Sequence, residues 1–287
     1  MKKMVFCLLT LLTCGVAHAL PFRNPAEASL LCDGLFLDGS CCYDWCDSDL
    51  SWCDAFSVRF GYDGNFVFNR HLEVDASYSG ADIDNTEICT NAGYVVANLY
   101  DRFDLYATFG ATNFRIESNA SAFGGPTGAR LVLESETDFS YSIGFRATIF
   151  EWGCTSYGIE TEYFYTRPNL KCVSLEKDFS AYPASNIHMK YREWQIGIGV
   201  AHRINNIVPY FGAKYSRGQM ILDGANVLLS SGGGTLIQNI LIRDLETKWN
   251  GGYVLGISFI DCEKMALSVE GRWPDEKSLS VNGHIRF

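Results

Sequence analysis

Apolar and polar residues alternate with a period of two along much of this chain. Between Phe56 and Phe68 the even positions are Phe56, Val58, Phe60, Tyr62, Gly64, Phe66 and Phe68. The odd positions between them are Ser57, Arg59, Gly61, Asp63, Asn65 and Val67. From Asp138 to Glu151, Phe139, Tyr141, Ile143, Phe145, Ala147 and Ile149 alternate with Asp138, Ser140, Ser142, Gly144, Arg146 and Thr148. Tyr157, Ile159, Tyr163 and Tyr165 alternate with Ser156, Gly158, Glu160, Glu162 and Phe164; Trp194, Ile196, Ile198 and Val200 with Glu193, Gln195, Gly197, Gly199 and Ala201; Leu267 and Val269 with Ser268, Glu270 and Arg272. This period predicts strands with one apolar and one polar face.

Strand length then selects the architecture. Strands of soluble sheets are about 5–6 residues long, whereas a strand crossing a bilayer at a tilt needs about 9–11, which these runs match. In lipid every backbone group needs a partner, so a sheet can span only as a closed barrel. The expected fold is all-β: a transmembrane antiparallel β-barrel of about twelve strands, within a range of about ten to sixteen, with short periplasmic turns and longer external loops. Short turns are expected near Arg70, Asp101-Arg102, Trp152-Gly153 and Ile204-Asn206, with a second strand over 71–78. The stretches 79–91, 115–136, 167–187 and 219–247 read as external loops.

The chain ends in SLSVNGHIRF, where Ile285, Gly283, Val281 and Leu279 alternate with polar residues up to Phe287. A terminus in water is usually polar and frayed. An apolar face kept to the last residue fits a strand that closes a barrel, with Phe287 on the lipid side. An aromatic final residue so placed is a mark of outer-membrane barrels.

The start carries Lys2 and Lys3, an apolar stretch from Met4 to Val16, and Ala17-His18-Ala19, the pattern of a secretory signal peptide cut after Ala19. A competing reading makes Cys14 a lipidation site; Thr13 is bulky for the residue before such a cut. The expected division is a signal peptide over 1–19, a Cys-rich N-terminal segment over 20–54 and the barrel over 55–287, placed in the bacterial outer membrane.

Charge and cysteines narrow the chemistry. The net charge of −10 argues against nucleic acid as a partner. By parity the pore would be lined by Arg59, Asp63, Glu73, Asp75, Arg146, Glu160, Glu162, Glu193, Glu270 and Arg272, with Arg286 beside them. Carboxylates outnumber cations in this set, which predicts a weak cation preference. The disulfide candidates are Cys32, Cys41, Cys42, Cys46, Cys53, Cys89, Cys154, Cys172 and Cys262, an odd number that leaves a thiol free or paired with another molecule. The cluster CDGLFLDGSCCYDWCDSDLSWC at 32–53 lacks His and CxxC pairs, so disulfides suit an oxidising envelope better than zinc, and no metal or cofactor is expected. No Ser, His and acid fall in a catalytic pattern, GYDG, SSGGGT and GGYVLG lack the phosphate-loop form, and Asn119-Ala120-Ser121 reads as a chance glycosylation triplet. An enzyme is not expected.

Four blocks of sequence carry a family resemblance: LPFRNPAEASLLCDG at 20–34, WCDAFSVRFGYDGNFVFNR at 52–70, REWQIGIGVAHRINNIVPYFGAKYS at 192–216 and SVEGRWPDEKSLSVNGHIRF at 268–287. They resemble the chlamydial major outer membrane porin family, in order and at both ends, in a chain with shorter loops. The resemblance implies a homotrimeric porin in outer-membrane lipid, passing small hydrophilic solutes, with a second role as a disulfide-cross-linked component of the envelope. The alternative is a plugged barrel of structural or adhesive role.

Overall fold

The computed structural model describes residues 20–30, 56–75, 77, 79–175, 179–183, 187–223, 226–231, 236–261 and 264–287. The cysteine cluster at 32–53 and Cys262 lie outside these residues. The strands in chain order are β1 (Phe56–Arg70), β2 (Leu72–Val74), β3 (Asn85–Leu99), β4 (Phe103–Asn119), β5 (Arg130–Ser135), β6 (Asp138–Trp152), β7 (Thr155–Thr166), β8 (Leu170–Leu175), β9 (Phe179–Pro183), β10 (His188–His202), β11 (Ile207–Asp223), β12 (Asn226–Ser231), β13 (Leu236–Leu241), β14 (Leu245–Thr247), β15 (Gly251–Asp261), β16 (Met265–Trp273) and β17 (Glu276–Arg286). Among the described residues a short helix, α1 (Glu27–Leu30), precedes them.

Ten of these strands close into an antiparallel barrel in the order β10, β7, β6, β4, β3, β1, β17, β16, β15, β11, with β11 pairing back onto β10. The first and last strands meet in the register Arg59↔Arg286 to Arg70↔Glu276. Ten strands sit at the lower end of the expected range. The shortfall from twelve comes largely from residues 71–78, where β2 has three residues and pairs with β14 rather than crossing the wall.

The molecule is inside out by the standard of a soluble protein. Phe60, Ile143 and Ile198 are 50%, 51% and 63% exposed, while their neighbours Arg59, Ser142 and Gln195 are at most 2% exposed. Exposed apolar surface on that scale needs a hydrocarbon surround. Aromatic residues collect at both rims of the band, among them Tyr100, Phe103 and Trp152 by the short turns and Tyr163, Trp194 and Tyr215 towards the long connections. The rings of Trp194 and Tyr215 lie 5.5 Å apart.

At the long-connection end the loops are structured. β5 and β8 extend the wall beside β4, and β9, β12 and β13 form a separate sheet. Their apolar residues join inward residues of the barrel mouth, including Ile88, Phe114, Phe164, Met189, Met220 and Leu222, in one buried cluster with Leu72, Val74, Leu131, Leu133, Val227, Ile240 and Leu245. Stretches expected as external loops thus contribute an apolar layer over the mouth.

Candidate functional site: the lumen and the segment inside it

The lumen is polar and filled. Residues 20–28 are all buried within it. The segment LPFRNPAEASL has two prolines and little periodicity, so nothing in its pattern favours a strand. Asn24 shapes it: its side-chain oxygen accepts from the Ala26 N–H at 3.0 Å and its carbonyl from the Glu27 N–H at 3.1 Å, a local turn of the kind Asn favours. Arg23 stands in the left-handed region at φ 58°. A non-glycine residue there is held by its surroundings.

Those surroundings are the barrel wall. The Arg23 guanidinium bonds Asp63 of β1, and Glu160 and Glu162 of β7 at 3.3 and 2.9 Å. It also lies over the rings of Tyr94 and Tyr106, 4.8 and 4.6 Å from their centres. The backbone N–H groups of Phe22 and Arg23 both donate to the Glu270 carboxylate at 2.8 Å. Gln195 donates to the Pro21 carbonyl at 2.7 Å, and Asn98 to that of Ala28 at 3.0 Å. Glu27 pairs with Arg146, which shares Asp104 with Arg59. The ring of Phe22 occupies space that a side chain at Gly197, Gly199 or Gly212 would need. Glycine inside a strand often marks such a close approach.

The contacts also order the segment along the barrel axis. Leu20 lies level with Glu193 and Phe164, Pro21 with Gln195, Phe22 with Gly197 and Gly199, Pro25 with Gly158, and Glu27 with Arg59. On β7 and β10 these partners descend from the long-connection end towards the short turns. The chain therefore runs down the axis with Leu20 nearest the apolar layer.

Above the segment sits a second charged cluster. Arg70 bonds Glu193, Asp275 and Glu276 at 2.7, 2.9 and 3.2 Å, and Lys214 bonds Glu276 at 2.6 Å and Asp275 at 3.2 Å. Burial alone would raise the Asp275 carboxyl, but Lys214 and Arg70 hold it below the usual carboxylate range.

Of the residues read from parity as pore-lining, Arg59, Asp63, Arg146, Glu160, Glu162, Glu193, Glu270 and Arg272 are buried inside the barrel, and so is Arg286. Glu73 and Asp75 are a correction. The register slips between Val67 and Asn69, which turns Arg70, Leu72 and Val74 inward and leaves Glu73 and Asp75 on the other side. The same slip hid Arg70. Asp104 and Lys214 were missed in strands whose alternation is interrupted by glycine and small polar residues. Arg23 and Glu27 carry no strand parity at all; the only signal was their place in a motif shared with the family. Cys154 and Cys172 are exposed thiols, and Cys89 is half-buried in β3.

A family model described as Chlamydia major outer membrane protein matches residues 1–79, 76–129 and 175–232. The chain is 27% identical to the major outer membrane porin of Chlamydia psittaci over 393 aligned positions that take in all of both chains. It is likewise 27% identical to that of Chlamydia muridarum, again over all of both chains, and 26% identical to the serovar L1 porin of Chlamydia trachomatis over 99% of each. The alignments are longer than this chain, so the relatives carry insertions. Among solved structures it resembles the outer membrane protease OmpT of Escherichia coli, with a TM-score of 0.39 and 10% identity, covering 83% of this chain and 97% of that one. A likeness that slight carries no argument about activity. The matched family and the closed barrel place the protein in the outer membrane, and the chain belongs to the Chlamydia major outer membrane protein family.

Proposed function

We propose that this protein is a non-enzymatic outer-membrane channel for small hydrophilic solutes, closed while residues 20–30 occupy its lumen. The observation that carries this is the Arg23 guanidinium, set among Asp63, Glu160 and Glu162 on the axis of the barrel. With the segment withdrawn, those carboxylates line an open path and favour cations. In planar bilayers the wild-type protein is expected to stay mostly closed. Deletion of 20–30, or Arg23→Glu, is expected to give steady conductance with a weak cation preference. Silence from every variant, with the barrel folded, would sink the channel reading.

The apolar layer over the mouth favours a second reading, a plugged barrel of structural role. It predicts no conductance even without residues 20–30. A cross-linked envelope role is compatible with either. Its support here is Cys154, exposed in the short turn between β6 and β7, beside the family resemblance that also suggests a trimer. Non-reducing electrophoresis of envelopes should show oligomers that reductant dissolves; monomers alone would remove the cross-linking role.

A further inference from the structure

A small cavity lies at the upper end of the buried segment. It measures about 20 Å³, room for about one water molecule, and Leu20, Asp63, Glu162 and Glu193 are in its wall. The three carboxylates differ. Glu162 accepts from Arg23 at 2.9 Å, and Glu193 accepts from Arg70 at 2.7 Å and from Tyr191 at 2.5 Å. Asp63 has one oxygen bonded to Arg23, while its Oδ1 is sealed from solvent with no hydrogen-bond partner. Leaving such an atom unpaired is costly, more so for a charged group. Charge adds to the demand: among the described residues, nine buried carboxylates face seven buried Lys and Arg once Glu117, paired with the half-exposed Arg115 and Arg130, is set aside. A cation is wanted at this place.

We infer that the partner of Asp63 is the α-ammonium of Leu20, freed when the leader is cut after Ala19, and that this ion pair locks the segment in its seat. The inference rests on the leader reading and on residues 20–30 acting as the plug. Leu20 is at the leading end of the segment and packs into the apolar cluster over the mouth. A peptide bond on its N-side would set a neutral amide against the cavity. A free ammonium has three donors, a positive charge and the size of the cavity. Processing thereby adds a lock to the seated segment: the cut chain carries its own bolt.

Accessibility of the Arg23–Asn24 bond to trypsin reads seating without reference to conductance. Four residues (Gly-Ser-Gly-Ser) inserted between Ala19 and Leu20 leave the cut possible and move the ammonium away. The protein purified from membranes should begin at Leu20 by mass, resist cleavage at Arg23 and show the mobility of a folded barrel on unheated gels. The extended chain should show the same mobility but be cut at Arg23 about tenfold faster or more, the size expected for losing a charge-assisted bond. Leu20→Gln provides the test of charge alone, since cyclisation of an N-terminal glutamine removes the ammonium without adding length. The cyclised form should be cut faster than the uncyclised one. A mature chain beginning elsewhere, equal protection with and without the insertion, or equal protection of the two glutamine forms would overturn the inference. Protection at Arg23 with no conductance in any variant would instead count against the channel reading and leave the seat of the ammonium standing.

Discussion

The ring of Phe287 meets that of Phe60 edge-on, with centroids 5.8 Å apart, and the Phe287 N–H donates to the Val58 carbonyl at 2.9 Å. The last residue is thereby fixed to the first barrel strand from outside and along the ladder. Deleting Phe287, or Phe287→Asp, should impair insertion while export persists, because residues 1–19 are unchanged. Fractionation that finds the variant in the outer membrane at the wild-type level, with folded mobility, would contradict this.

The outer and inner faces should respond differently to arginine. Phe60→Arg, Ile143→Arg or Ile198→Arg should cost about 2–4 kcal/mol of folding stability near the bilayer midplane. Ser142 and Gln195 face the lumen, where Ser142 shares a hydrogen bond with Thr108 at 2.7 Å and Gln195 holds Pro21. Arginine there should leave the barrel folded but displace residues 20–30, seen as trypsin cleavage at Arg23. Loss of the barrel with Ser142→Arg but not Ile143→Arg would invert the facing.

Gly197 faces inward against Phe22. A valine suits a strand backbone better than glycine, and its Cβ, 3.0 Å from the Ala213 carbonyl, asks only a small shift of β11, so Gly197→Val should still form the barrel. Its side chain needs the place of the Phe22 ring, so the segment should be expelled and conductance should rise. Unchanged conductance and unchanged trypsin resistance would show that the ring does not depend on that space.

Asp275 gives a pH signature. Burial pushes its carboxyl up, but Lys214 and Arg70 outweigh that and hold it below its ordinary value. A depressed carboxylate contributes stability that is present above its unfolded pKa of about 4 and lost as pH falls through the lower folded value. Thermal unfolding of the wild type should therefore weaken below about pH 4, and Asp275→Asn should be less stable at neutral pH with a flatter acid limb. Parallel acid limbs in the two proteins would remove Asp275 from this role.

The alternation of residues such as Phe60 and Arg59, or Ile143 and Ser142, determined by itself that the strands span lipid and which face meets it. A period of two leaves little choice once one face must be apolar. The terminal strand was legible for the same reason, since its partner on closure had to be the first strand. Tertiary structure decided what parity cannot carry. One slipped residue between Val67 and Asn69 reversed the facing of Glu73 and brought Arg70 inside. The lumen was filled by Arg23 and Glu27, residues whose partners lie 32 to 247 positions away and leave no local trace. Local pattern fixes which face a residue takes on its own strand. Only closure of the barrel brings Asp63, Glu160, Glu162 and Glu270 around one guanidinium and two backbone amides, and that meeting turns a polar barrel wall into a seat for residues 20–28.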